Sequence, residues 1–120
     1  MNFYKCGDGS ILIMDQAMSC CCEKDLKELI PNTTDAAGEK HVPVIAVDGS
    51  KVTVTVGAVE HPMLEAHYIQ WVVLETCQGY QKKCLKPGEK PAAVFALAEG
   101  EKALAAYEYC NLHGLWKAEA

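Results

Sequence analysis

Lys51–Val56 reads KVTVTV, and this short stretch decides the fold class. Its three valines alternate with a lysine and two threonines. Successive side chains of a β-strand point to opposite faces, so an alternation of period two predicts a strand with one buried and one solvated face. Valine and threonine, being β-branched, also favour strands. The stretch therefore predicts a sheet whose valine face lines a core.

Four further stretches have a strand-like texture. They are HVPVIAV at 41–47, HYIQWVVLE at 67–75, PAAVFAL at 91–97 and KALAAYEYC at 102–110. Glycine and proline in CQGYQ at 77–81 and KPGEKP at 86–91 predict turns between them. The last stretch also has helical propensity, but this is a weak preference and we favour a strand. Several short strands with regular turns predict an all-β protein, an immunoglobulin-like β-sandwich.

Residues 1–36 differ in composition from the rest of the chain. They hold Cys6 and the run Cys20–Cys22, followed by the polar segment PNTTDAAGEK. A chain of 120 residues can hold one ordinary domain and a small appendage. We expect a cysteine-containing N-terminal module with its linker at 1–36 and the β-sandwich domain at 37–120.

Charge and composition exclude several function classes. The chain has 11 basic and 16 acidic side chains, a formal charge of −5, and no basic cluster interleaved with aromatic residues, so nucleic acid is not an expected partner. No apolar run reaches the length of a membrane span, and the N-terminus lacks the long apolar region of a secretory signal. An odd number of cysteines, seven, fits reduced thiols or metal ligands. We expect a cytoplasmic protein.

Cys110 and His113 lie three residues apart in EYCNLH. This spacing allows both side chains to bind one metal ion but does not prove that they do. The other histidines are His41, His61 and His67, each near an edge of a proposed strand. Strand ends and loops converge at one end of a sandwich, so these residues could meet around one ion. Any single histidine is more often a surface or core residue, and the spacing alone leaves both interpretations open.

The motifs GEKHVPVI, VEHPM, HYIQW, LKPG and EYCNLHGLWKAE together resemble the superoxide reductases and, within them, the desulfoferrodoxins. The resemblance implies one mononuclear iron that reduces superoxide by one electron to hydrogen peroxide. It implies five metal ligands: the imidazoles of His41, His61, His67 and His113 in a plane, and the axial thiolate of Cys110. It also assigns catalytic roles beside the open position to Glu39 and Lys40. Lys40 would supply the local positive charge that an anionic substrate of an acidic protein requires.

The resemblance also implies partners and a second iron site. The family receives electrons from small redox proteins of the rubredoxin type and forms homodimers. Its N-terminal desulforedoxin-like module holds a second iron with a C-x-x-C motif and a later cysteine pair. Here Gly9 stands three residues after Cys6, and the remaining candidates are the consecutive Cys20–Cys22. Three consecutive side chains do not all point one way, so we expect a degenerate module without the second iron.

Two other functions compete with this interpretation. Copper electron carriers of the cupredoxin type are also β-sandwiches with a cysteine and a histidine near the C-terminus. They usually have an axial methionine after that histidine, and HGLWKAEA contains none. A structural zinc site is the third candidate, but zinc prefers four ligands and this set offers five.

Overall fold

The computed structural model describes residues 1–16 and 26–120. The chain divides into two compact units, Met1–Ile30 and Pro31–Ala120. The boundary near residue 36 stays a prediction, and Cys20–Cys22 lie outside the described residues. Among the described residues, no helix has the length and apolar character needed to cross a bilayer.

The first unit is a three-stranded antiparallel sheet in the order β2-β1-β3. Its strands are β1 at Asn2–Lys5, β2 at Ile11–Met14 and β3 at Lys27–Leu29. The turn after β1 is closed by two backbone hydrogen bonds between Cys6 and its neighbours, one with Ser10 and one with Gly9. Gly9 has a φ of 93°, a conformation that side-chain-bearing residues rarely adopt. Gly9, which stands three residues after Cys6, therefore serves the turn.

The second unit, which is described throughout, contains one short helix and seven strands. The helix is α1 at Gly38–His41. The strands are β4 at Pro43–Asp48, β5 at Lys51–Val56, β6 at Ile69–Thr76, β7 at Gly79–Cys84, β8 at Ala92–Ala96, β9 at Ala103–Cys110 and β10 at Gly114–Glu119.

These strands form two antiparallel sheets, β10-β9-β6-β7 and β4-β5-β8. The three valines of KVTVTV are fully buried, and they meet residues of β6, β8 and β9 in one core. The members of this core are Val52, Val54, Val56, Ile69, Val72, Leu74, Ala93, Phe95, Ala106 and Cys110. The all-β fold class is thereby confirmed as a β-sandwich, with the four-and-three strand division typical of immunoglobulin-like domains.

The structure confirms the strand at 51–56 and the strand, not helix, that ends at Cys110. Two predictions were wrong in detail. The turn predicted at 77–81 is confined to its first residues, because β7 begins at Gly79. His41 was placed in a strand, but it is the last residue of α1, and β4 begins at Pro43.

Candidate metal centre

Four structural elements bring the five predicted ligands to one place. His41 ends α1, His61 and His67 lie in the loop between β5 and β6, Cys110 ends β9, and His113 lies in the turn before β10. One ligand atom from each residue lies within 4.8 Å of all the others. Residues up to 72 positions apart in the sequence therefore form one compact cluster.

The four imidazole rings form a square. Neighbouring ring centroids are 4.6 Å apart for His41 and His61, 4.7 Å for His61 and His67, 5.0 Å for His67 and His113, and 4.8 Å for His113 and His41. Across the square, the centroids of His41 and His67 are 6.5 Å apart. Neighbouring rings are nearly perpendicular, with interplanar angles of 74° to 90°. This arrangement suits four imidazoles around a common centre.

Backbone carbonyls fix which nitrogens face that centre. The Nδ1 atom of His41 lies 2.7 Å from the Ala37 carbonyl oxygen, and that of His61 lies 2.6 Å from the Pro62 carbonyl oxygen. A carbonyl can only accept, so each Nδ1 carries the proton and each Nε2 presents a lone pair. The two Nε2 atoms are nevertheless 3.1 Å apart. Two lone pairs at this distance repel unless a cation lies between them.

The spacing of the donor atoms fits a single metal ion. Metal–imidazole bonds are about 2.1 Å long, so two neighbouring nitrogens at a right angle lie about 3.0 Å apart and opposite ones about 4.2 Å apart. The Nε2 of His41 is 3.1 Å from the Nε2 of His61 and 3.1 Å from the Nδ1 of His113. The buried Nε2 of His67 has no hydrogen-bond partner in the described part of the chain. The residues present therefore fit a metal.

Burial favours the neutral form of His41, His61 and His67. Loss of solvation lowers the pKa of His41 and His67, and it lowers the pKa of His61 to about 4. Repulsion between the rings acts in the same direction. Neutral imidazoles are the form that binds a metal, so the site is prepared for an ion at neutral pH.

Cys110, the candidate sulfur donor, lies on the core side of the cluster. Its side chain is buried, and its Sγ is 3.6 Å from the Nε2 of His61 and 3.9 Å from the Nδ1 of His113. Burial raises the pKa of the Cys110 thiol, while hydrogen bonds from the backbone of Leu112 and His113 lower it. Without a metal the thiol is protonated at neutral pH, so metal binding must release this proton.

The predicted catalytic pair lies on α1 directly before His41. The side chains of Glu39 and Lys40 are both exposed. The ammonium of Lys40 contributes to lowering the pKa of His41 and of His67, so its field reaches opposite corners of the square. The structure thus brings positive charge to the cluster, while no described contact links the Glu39 carboxylate to the imidazoles.

Gly57 allows the chain after β5 to pack against α1. A Cβ atom on Gly57 would lie 2.6 Å from the Lys40 carbonyl oxygen and even closer to that of Val59, and its φ is 82°. The Val59 amide also donates to the Glu39 carbonyl oxygen, at 2.9 Å. Only glycine fits this close approach. The backbone that carries Glu39 and Lys40 is therefore held by the loop that follows β5 and leads to His61.

Two residues that sequence reasoning did not single out also support the cluster. The Trp116 ring stacks on His41 with centroids 4.9 Å apart, and its indole N–H donates to the His113 carbonyl oxygen at 3.1 Å. Asn111 bonds to the chain around His67. Both residues lie in the motif EYCNLHGLWKAE, but only its cysteine and histidine were interpreted as functional residues.

Comparison with known proteins agrees with this geometry. The sequence model of the desulfoferrodoxin family matches residues 33–119. The desulfoferrodoxin of Desulfarculus baarsii is 54% identical over 99 residues, which cover 82% of this chain and 77% of that protein. The chain therefore belongs to the desulfoferrodoxin family.

Solved structures extend the similarity to the fold. The superoxide reductase of Treponema pallidum is 40% identical, covers 98% of both chains and superposes with a TM-score of 0.84. The superoxide reductase (1Fe-SOR) of Giardia intestinalis is 36% identical, with a TM-score of 0.59 over 68% of this chain and 97% of its own. The first similarity includes nearly all of the chain, whereas the second covers about two thirds of it.

Proposed function

We propose that this protein is a superoxide reductase with one mononuclear iron per chain. The observation that carries the proposal is the square of four imidazoles with the buried Cys110 thiol beside it. The family to which the chain belongs and the superoxide reductases of similar structure support the same activity. The reaction is the one-electron reduction of superoxide to hydrogen peroxide.

We assign the iron ligands to His41, His61, His67, His113 and Cys110. When bound, iron supplies the electron that superoxide takes up. The four neutral imidazoles add no charge and the thiolate adds one negative charge, so a ferrous site keeps a net charge of +1. The sulfur donor also raises electron density at the metal, which favours electron donation.

The remaining steps belong to Glu39 and Lys40. Lys40 attracts the anionic substrate, because its ammonium is exposed and its field reaches the imidazoles. The same ammonium can hold a water molecule that delivers a proton to the reduced product. Glu39 precedes Lys40 on the same short helix, and we assign its carboxylate to the substrate position when no superoxide is bound.

Metal analysis combined with visible spectroscopy tests this function. We expect one iron per chain, a thiolate charge-transfer colour in the oxidised protein, and loss of that colour on reduction. The reduced protein should then be reoxidised by superoxide with formation of hydrogen peroxide. Colourless zinc-loaded protein would point to a structural site, and an intense blue copper form without superoxide turnover would point to an electron carrier.

Repeated turnover requires an electron donor, and we propose a small redox protein of the rubredoxin type. Superoxide-dependent oxidation of reduced rubredoxin by catalytic amounts of this protein would test it. We also propose a homodimer, as the family resemblance implies, and sedimentation at several protein concentrations would show its mass. For the N-terminal module we propose that no second iron is bound, which the same metal analysis measures.

The cysteines support a reducing compartment, and we propose the cytoplasm. Four described cysteines, at positions 6, 77, 84 and 110, are free thiols. Such thiols persist where glutathione and thioredoxin keep proteins reduced. Thiol labelling and fractionation of the native cells would test the location.

A further inference from the structure

The Asn111 side chain bonds to the chain on both sides of His67. Its Oδ1 accepts a hydrogen bond from the Tyr68 amide at 2.9 Å, and its Nδ2 donates to the Ala66 carbonyl oxygen at 3.0 Å. The Asn111 amide also donates to the Tyr68 carbonyl oxygen at 3.2 Å. One residue thus makes three hydrogen bonds to the two neighbours of a single proposed ligand.

Asn111 itself lies between two other proposed ligands, Cys110 and His113. Its hydrogen bonds therefore fix the backbone of His67 relative to the turn that carries the thiol and the fourth imidazole. The contacts span 43 and 45 residues of sequence, so chain connectivity alone would not hold these parts together. His41 and His61 are oriented differently, since each ring has its own backbone acceptor.

The His67 segment needs such a restraint. The proposed ligand follows the exposed residues Leu64, Glu65 and Ala66, and a pair of backbone hydrogen bonds between Leu64 and His67 closes this loop. That pair sets the shape of the loop, and the Gly88 amide holds only its start, by donating to the Met63 carbonyl oxygen at 2.8 Å. The Asn111 side chain supplies the connection to the opposite side of the cluster.

We propose that Asn111 is a positioning residue that holds His67 in place for the metal. This inference rests on the proposed metal site and adds to it a residue that binds neither metal nor substrate. A site assembled before the ion arrives loses less conformational freedom on binding. Removing a residue that orients a ligand typically costs on the order of tenfold to a hundredfold in metal affinity.

The test measures metal binding by the full-length protein, with Co²⁺ alone as the probe. Competition with a chromophoric chelator gives the affinity, and the ligand-field and thiolate charge-transfer bands report the geometry around cobalt. We expect Asn111→Ala to bind Co²⁺ tenfold to a hundredfold more weakly than the unaltered protein, with shifted ligand-field bands. A merely structural role would lower the unfolding temperature and leave the bands in place.

Asn32 provides a matched control. Its Nδ2 donates to the Lys117 carbonyl oxygen at 3.1 Å, and its Oδ1 accepts from the Lys117 amide at 2.8 Å. This is the same pair of side-chain bonds to backbone, made to a residue four positions past the nearest proposed ligand. Asn32→Ala should therefore lower stability and keep the affinity and spectrum of the unaltered protein.

Each outcome decides the inference. A loss of at least tenfold in Asn111→Ala with an unchanged Asn32→Ala supports it, whereas a loss of less than tenfold in Asn111→Ala, or equal losses in both variants, would overturn it. If the alanine variant does not fold, Asn111→Asp is measured against the same thresholds, because it keeps the acceptor for Tyr68 and loses the donor to Ala66. An unaltered protein that fails to bind one Co²⁺ per chain would overturn the proposed metal site together with this inference.

Discussion

Acidification of the metal-free protein should destabilise it through His61. This ring is 1% exposed, and burial lowers its pKa from 6.5 to about 4. Between these two values the unfolded chain binds a proton at this position and the folded chain does not. Stability therefore rises with pH in this window, and it is lost as pH falls from 6.5 towards 4.

The size of the effect follows from the two pKa values. Applying the proton linkage relation to 6.5 and about 4, the His61 contribution falls by about 2 kcal/mol between pH 7 and pH 5. This is an upper value, because polar neighbours around the ring screen its charge. His41 and His67 have pKa values lowered in the same direction and add to the loss.

One buried carboxyl acts in the opposite direction. Glu108 is fully buried, and neither of its carboxyl oxygens has a hydrogen-bond partner in the described part of the chain. Burial raises its pKa well above 4.5, so the folded protein keeps a proton that the unfolded chain releases. Its contribution to stability is present below 4.5 and decreases as pH rises above that value.

Urea unfolding can be monitored by circular dichroism at pH 5 and pH 7 with a chelator present. The His61 and Glu108 variants then separate the contributions of these two side chains to the pH dependence of stability. His61→Gln should lose about 2 kcal/mol of the pH-dependent difference, because glutamine does not titrate. Glu108→Gln is the control, and it should shift the same difference the other way. If His61→Gln shows the pH dependence of the unaltered protein, His61 is not a neutral buried ring in the folded chain.

Three further predictions concern the metal and its substrate. Cys110→Ser should remove the thiolate charge-transfer band and abolish superoxide reduction, and an unchanged spectrum would exclude the thiol as a ligand. Deletion of the residues before Pro31 should leave the superoxide rate per iron intact, and a slower truncated protein would contradict this, while two irons per full-length chain would contradict the expected absence of a second iron. Lys40→Ala should keep its iron and slow the reaction with superoxide roughly tenfold in pulse radiolysis, while Lys51→Ala on the exposed side of β5 should have little effect.

The sequence predicted a strand most directly where apolar and polar residues alternate. KVTVTV became β5 because each of its valines is buried and each residue between them is partly or fully exposed. β7 was missed because five of its six residues are exposed and none is buried, which leaves no alternation to detect. β7 is a strand because it pairs with β6, whose partner residues lie 3 to 13 positions earlier in the sequence. The side-chain pattern of β7 by itself does not indicate this pairing.

The site shows a similar division. All five proposed ligands were found through motifs, and the structure brings them together. Local spacing could not predict that Asn111 would reach Ala66 and Tyr68, or that Trp116 would stack on His41. The Asn111 contacts depend on β6 and β9 lying side by side, where Ile69 is the register partner of Cys110. Trp116 lies on β10, which pairs with the other side of β9. Residues that orient ligands thus emerge only once strand pairing is known.

The charges of the protein act on superoxide at two ranges. The formal charge of −5 repels an anion at long distance, whereas in the proposed mechanism Lys40 and a ferrous site of net charge +1 attract it at short distance. Salt screens charges separated by more than about 8 Å at physiological ionic strength, so it weakens the long-range repulsion first. The sign of the salt dependence therefore shows whether long-range repulsion or short-range attraction controls the encounter.

A rate that falls with salt means that the local positive charge dominates. Lys40→Ala should then flatten or reverse that slope, while Lys51→Ala keeps it. Equal effects of the two lysines would mean that only the total charge matters, and that the position of Lys40 beside the imidazoles has no role in attracting the substrate.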